Sequence, residues 1–219
     1  MGVGRQRLGT FGWLYAAAFL SAAPAAGEVQ LDAAGGAFQY YYYRVTQPAA
    51  AAGLALAAAA SYEREASACS AAAFYRGYDV ETYEVGAEFR PRFYFHAAPA
   101  RPYLAPTAGF WYARDEAGGY KIVGGGARAG GVLSAAEGRV VVDVYAAYRG
   151  RFNVDADELR PSFASELIAG AACDWRWTRR LGLRVEGIVL WPGFFAEKHG
   201  RLAEPGVAPF VLVGPTWRP

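Results

Sequence analysis

The chain has 219 residues, a length that ordinarily makes one domain, and 22 Lys and Arg against 20 Asp and Glu leave a net charge of +2. Only 19% of the residues are charged while 16% are aromatic, a profile poor in charge for a water-soluble domain and rich in side chains that favour membrane–water interfaces. A mean hydropathy of +0.05 argues against a helical membrane protein, and the balanced charge gives no basic surface for nucleic acid.

The first 27 residues read as an export signal. Arg5 and Arg7 supply a positive start, Phe11 to Leu20 an apolar run, and Ser21 to Gly27 the small residues of a cleavage site. The run is too short to span a bilayer comfortably as an anchor, and no Cys stands at the cleavage region to accept a lipid. Cleavage after Ala25 or Gly27 removes both arginines and leaves a mature domain, residues 28–219, with a net charge of about zero. Ala49 to Ala60 is the nearest candidate for a second membrane helix, but it is short, almost wholly Ala and broken by Gly53.

The mature region alternates with a period of two, the signature of strands that bury one face. Phe38 to Thr46 is the best candidate for a first strand, and Gln47 to Glu81 then reads as a long first outer loop, in part helical given its Ala content. Tyr83 to Phe95 carries every charge on one side: Glu84, Glu88, Arg90 and Arg92 oppose Val85, Phe89, Phe93 and Phe95. Pro102 to Arg114 and Tyr120 to Ser134 are weaker, blurred by Pro and Gly, with Arg128 marking an inward position. Arg139 to Phe152 sets Arg139, Asp143, Tyr145 and Arg149 against Val140, Val142, Val144 and Phe152. Phe163 to Trp177 sets Glu166, Asp174 and Arg176 against Leu167, Trp175 and Trp177. Leu181 to Trp191 sets Arg184 and Glu186 against Leu183, Val185 and Val189, and Val207 to Trp217 closes the series.

The links between these segments sort by length. His96 to Arg101, Ala135 to Gly138 and Thr178 to Arg180 are tight, whereas Asp115 to Gly119, Asn153 to Arg160 and Ala196 to Gly206 are longer and polar. Short turns on one side and longer loops on the other are what transmembrane β-barrels show, and they prefer even strand numbers. The expected fold is therefore all-β: an antiparallel up-and-down transmembrane barrel of eight strands. Ten is the alternative, if Gly53 to Arg64 and Cys69 to Tyr78 both pair.

The pattern resembles the small outer-membrane β-barrel proteins, OmpA- and OmpX-like and porin-like, from about Ala37 onward. It rests on alternation, loop sorting and aromatic strand ends rather than on a motif. Such proteins often finish on an aromatic residue, whereas Arg218 and Pro219 follow Trp217 here. The resemblance implies an outer-membrane location, with outer-membrane lipids, lipopolysaccharide and the barrel assembly machinery as partners and a monomer as the working form. A soluble periplasmic barrel with the faces inverted, holding a lipophilic ligand, is a rival reading.

With the apolar faces toward lipid, Glu84, Glu88, Arg90, Arg92, Arg128, Arg139, Asp143, Arg149, Glu166, Asp174, Arg176, Arg184 and Glu186 form an interior charge network. An eight-stranded interior is filled by side chains, so a salt-bridged core is expected rather than an open pore; a narrow pathway is the alternative. Only His96 and His199 are available for acid–base work, on opposite sides of the membrane, so neither an enzyme nor a cofactor is expected. Asp155, Asp157 and Glu158 crowd one loop, but with no spaced bidentate Glu or turn Gly they read as solvated carboxylates rather than a calcium site. Gly124 to Gly126 and Gly130-Gly131 read as close packing or strand curvature. Trp111, Tyr112, Trp175, Trp177, Trp191 and Trp217 read as interfacial girdles. Cys69 and Cys173 fall at opposite ends of the predicted barrel, so two unpaired thiols are expected.

Overall fold

The computed structural model describes residues 27–44, 47–77, 83–95, 100–115, 118–154, 163–192 and 208–219. Ten strands run through them: β1 (Glu28–Arg44), β2 (Gln47–Glu63), β3 (Ser67–Gly77), β4 (Tyr83–Tyr94), β5 (Ala100–Asp115), β6 (Gly118–Ala135), β7 (Val140–Asn153), β8 (Phe163–Arg176), β9 (Leu181–Pro192) and β10 (Ala208–Trp217). Each pairs antiparallel with its chain neighbours, and β1 closes the ring against β10, with Phe38 opposite Phe210 and Leu31 opposite Trp217. Closure leaves no edge strand with unpaired backbone groups.

Ten strands form where eight was the first expectation, and the difference lies at the start of the barrel. The stretch expected as a long outer loop, Gln47 to Glu81, instead supplies β2 and β3, and the first strand begins ten residues before Phe38, at Glu28. β1 and β2 pair without interruption from Glu28 opposite Glu63 to Arg44 opposite Gln47. Ala occupies both faces of these strands: Ala55 and Ala57 turn inward while Ala58 and Ala73 turn outward. A sequence with the same residue on both faces has no period to read. The link expected to be long at Asp115 to Gly119 is also tight. Asp115 pairs with Gly118, whose positive φ of 121° suits a hairpin end.

The strand ends form two rims. The starts of β1 and the ends of β10 lie at one, the terminal rim, together with the connections through 64–66, 95–99, 136–139 and 177–180. The other, the loop rim, bears the two longest gaps between strands, after Asn153 and after Pro192. His96, His199, Asp155, Asp157, Glu158 and the expected signal residues before Gly27 lie outside the described residues.

The outer surface is apolar. Phe89, Leu104, Val123, Val144, Val185 and Val211 stand exposed around the ring. Aromatic side chains gather near the rims. Phe93, Phe95, Trp175, Trp177 and Trp217 are exposed at the terminal rim. A row from Tyr75 through Tyr83 to Tyr112 crosses three strands at the loop rim, with ring centroids 6.1 and 6.3 Å apart.

Cys69 and Cys173 are both free. The two thiols do not lie at opposite ends, as the sequence suggested. Each sits near the terminal rim, on β3 and β8, which are diametrically opposed in the ring. Both share the outward parity of their exposed neighbours Ala71 and Ala171. The purified protein is therefore expected to migrate identically with and without reductant, and both thiols should react with a lipid-soluble maleimide. An oxidation-dependent mobility shift of the monomer would contradict this placement.

Candidate functional site

The lumen is built by the inward parity of strands β4 to β9. These contribute Glu84, Glu88, Arg90 and Arg92 from β4, Arg128 from β6, Asp143 and Arg149 from β7, Glu166, Asp174 and Arg176 from β8, and Arg184 and Glu186 from β9. Arg139 does not join them. It has the right parity but falls just before β7, beside the turn Ala136–Gly138, where it is exposed. Several interior groups were not read as interior from the sequence. Arg151 shares the parity of Arg149 and could have been read from it, as Arg101 could from its spacing along β5, and Trp111, expected in an interfacial girdle, has the same spacing.

Toward the loop rim the charges form one chain. Arg149 donates from Nε to Glu166 Oε2 at 2.6 Å and from Nη1 to Glu88 Oε1 at 3.0 Å. Arg151 donates to Glu166 Oε1 at 2.7 Å and to Glu84 Oε2 at 2.9 Å, and Arg90 donates from Nε to Glu88 Oε2 at 2.8 Å. Three guanidiniums thus meet three carboxylates. Burying one such charge without its partner costs several kcal/mol, so the layer stands or falls as a unit.

Trp111 lies beneath this chain, 0% exposed, with Arg149 and Arg151 over its ring at 5.0 and 5.4 Å. It is therefore a luminal residue, not part of an interfacial girdle. Glycines make room for it. A Cβ at Gly86 would lie 2.2 Å from the indole, one at Gly109 2.6 Å and one at Gly124 3.1 Å. The large ring thus rests on bare backbone of β4, β5 and β6, which accounts physically for part of the Gly-rich run in β6.

Midway down, Arg128 and Arg92 both donate to Asp143 Oδ2, at 2.8 and 3.1 Å, while the Tyr103 hydroxyl donates to Oδ1 at 2.8 Å. Arg92 lies over the Tyr103 ring at 4.2 Å and Arg128 over Tyr145 at 3.2 Å. Tyr145 donates to Glu186 Oε1 at 2.6 Å, and Arg184 bridges Glu186 to Asp174 Oδ2 at 3.3 and 3.0 Å. Near the terminal rim Arg101 and Tyr94 converge on Glu63, and Arg218 pairs with Glu28 at 2.7 Å.

The opposite wall is different. Strands β1 to β3 turn Ala34, Ala55, Ala57, Ala59, Ser61, Ser70 and Ala72 inward, so between them and the charged wall runs a cavity of about 260 Å³. Its lining runs from Gln30, Glu63 and Arg176 near the terminal rim to Glu88, Arg149, Tyr75 and Arg76 toward the loop rim, and leaves out Glu84, Trp111, Arg151 and Glu166. Beside that layer Phe38 and Phe210 stack with centroids 4.7 Å apart, within an apolar cluster that includes Leu190 and Leu212. The lumen is thus filled along the charged wall of β4 to β8 and hollow along the small-residue wall of β1 to β3.

A closed barrel with an apolar exterior, aromatic rims and a salt-bridged interior is the architecture of an outer-membrane β-barrel. Solved structures similar to this chain include the β domain of the Bordetella autotransporter BrkA, at 11% identity over 89% of this chain and 100% of that one, with a TM-score of 0.47. Neisserial surface protein A is similar at 8% identity over 89% of this chain and 99% of that one, TM-score 0.44. The outer-membrane protease OmpT of Escherichia coli is similar at 10% identity over 88% and 95%, TM-score 0.39. No family model and no curated protein sequence matches the chain. At 8% to 11% identity none of these structures assigns a role to a residue here.

Proposed function

We propose that the chain is an exported outer-membrane β-barrel with a structural or surface-interaction role, closed to diffusion rather than a pore or a catalyst. The observation that carries this reading is the layer of Arg90, Arg149, Arg151, Glu84, Glu88 and Glu166 over Trp111, which fills the β4 to β8 side of the lumen toward the loop rim. An open pore would place water there instead of this six-membered ion pairing. The apolar outer belt and its aromatic rims suit outer-membrane lipids, with lipopolysaccharide at the loop rim and the barrel assembly machinery as the route of insertion. One chain closes the ring, which supports a monomer. Partners, if recruited, meet the segments beyond Asn153 and Pro192.

The mature protein refolded in detergent is expected to shift on a semi-native gel between unheated and boiled samples, and to give silent planar bilayers. A steady single-channel conductance would replace the closed reading with a narrow pore. A folded monomer soluble in plain buffer would overturn the membrane location itself.

A further inference from the structure

We propose that the lumen holds a binding site for a small organic oxyanion, a phosphate ester or carboxylate bearing hydroxyl groups, between the Ala and Ser wall of β2 and β3 and the guanidiniums of Arg90 and Arg92. Three features of the cavity lead there.

The first is which partner of the two ion pairs on β4 faces the space. The Arg90 side chain is 30% exposed and its partner Glu88 5%; Arg92 is 23% exposed and its partner Asp143 7%. In these two pairs the carboxylates lie behind and the guanidiniums in front, so a solute beside β4 meets positive charge first, whereas near the terminal rim Glu63 is more exposed than Arg101. Donors are left over as well. Arg90 Nη1 and Arg92 Nε make no hydrogen bond among the described residues. A guanidinium with spare N–H groups suits the planar or tetrahedral oxygens of a carboxylate or phosphate.

The second feature is an acceptor without a donor. Asp174 lines the same cavity with its side chain only 9% exposed, and its Oδ1 is covered and has no hydrogen-bond partner. A buried carboxylate oxygen in that state costs free energy unless a donor reaches it. A small turn of the carboxylate would bring Oδ1 to a hydroxyl carried by the ligand, which is why a hydroxylated oxyanion fits better than a bare one.

The third is room. Ala57, Ala59 and Ala72 project little beyond the backbone, and they leave a cavity of about 260 Å³, just under the ~300–1,000 Å³ of ligand pockets. That is the scale of a small solute rather than of a lipid chain. The lining runs from Glu63 and Arg176 near the terminal rim to Tyr75 and Arg76 near the loop rim, where the Arg76 guanidinium lies 4.9 Å from the Phe74 ring and 5.4 Å from that of Phe210.

The test is calorimetric titration of the detergent-refolded protein at low chloride with glycerol 3-phosphate, and with glycerol and inorganic phosphate as controls. One saturable site for glycerol 3-phosphate, no binding of glycerol and weaker binding of inorganic phosphate are expected. Ala72→Leu, which fills the cavity beside Glu88 and removes no charge, should weaken binding at least tenfold, and Arg90→Gln should do the same. Both variants must keep the wild-type gel shift, so that loss of binding is not loss of fold. Absence of saturable heat with the wild type would overturn the site, as would undiminished binding by folded Ala72→Leu. Inorganic phosphate binding as tightly as the ester would overturn the part given to Asp174. None of these outcomes bears on bilayer conductance, so the site can fail while the closed barrel stands.

Discussion

Glu166→Gln is expected to destabilise the folded barrel by about 3–5 kcal/mol, the scale of breaking a buried ion pair from one side. Glu166 is 4% exposed and accepts from both Arg149 and Arg151. Without its charge, Arg90, Arg149 and Arg151 share only Glu84 and Glu88, and one guanidinium equivalent stays buried without a counter-charge. The amide also presents an NH2 donor where one of the two acceptor oxygens stood, so at least one N–H of Gln faces an arginine. The measurement is the urea midpoint of the detergent-refolded protein, read from the heat-shifted fraction on a semi-native gel. Glu137→Gln, in the exposed turn before β7, should move the midpoint within about 0.5 kcal/mol, as surface changes do. Arg149→Met combined with Glu166→Gln should recover part of the loss, because the surplus charge then leaves with its site. If Glu166→Gln and Glu137→Gln behaved alike, the loop-rim layer would not be a coupled network.

The same layer shows what could be read from the sequence. In β4, β7, β8 and β9 the charges, Glu166 beside Ser165 excepted, have apolar or glycine neighbours on either side, so parity assigns them to the lumen. Glu166 lies opposite Arg149 once β7 and β8 are side by side, whereas Glu88 meets Arg149 from β4, with β5 and β6 between. Partner choice was not legible, because it depends on which strands adjoin and at what register. Arg139 shows the limit of parity: the period continues past a strand end into a turn, where it no longer means inside or outside. In β1 to β3 the obstacle was the opposite one. Ala on both faces leaves no contrast, so two strands passed for a loop and the small-residue wall, hence the cavity, stayed invisible. The count of eight was the consequence. Trp111 was misplaced because Pro102, Pro106 and Gly109 blur β5, although Tyr103, Ala105, Trp111 and Ala113 are all buried on its odd positions. The glycines that receive it lie on three different strands and are unrelated in sequence until the register brings them together.

Trp111→Ala should carry the second large effect, and in two readouts at once. Truncating a fully buried Trp ordinarily costs about 3–5 kcal/mol in lost transfer energy and residual void. Here the ring also faces the guanidiniums of Arg149 and Arg151, contacts worth about 0.5–2 kcal/mol each when desolvated. The neighbours cannot collapse into the gap, because its walls at Gly86, Gly109 and Gly124 are bare backbone held in the barrel ladder. Water therefore fills it, and the ion pairs above lose the apolar floor that holds them in one geometry. A lower urea midpoint and the appearance of conductance in planar bilayers are both expected, against a silent wild type. Trp111→Phe keeps a ring on the glycines and should stay silent with a smaller loss of stability. Gly86→Val tests the cradle from the other side: its Cβ would sit 2.2 Å from the indole, so the ring must move even though no luminal atom has been removed. A Trp111→Ala protein that is destabilised yet silent would locate the seal in the ion pairs alone. One that conducts at near-native stability would make the indole a stopper with little structural weight. Loss of both together is what a ring that supports the charged layer and blocks the lumen requires.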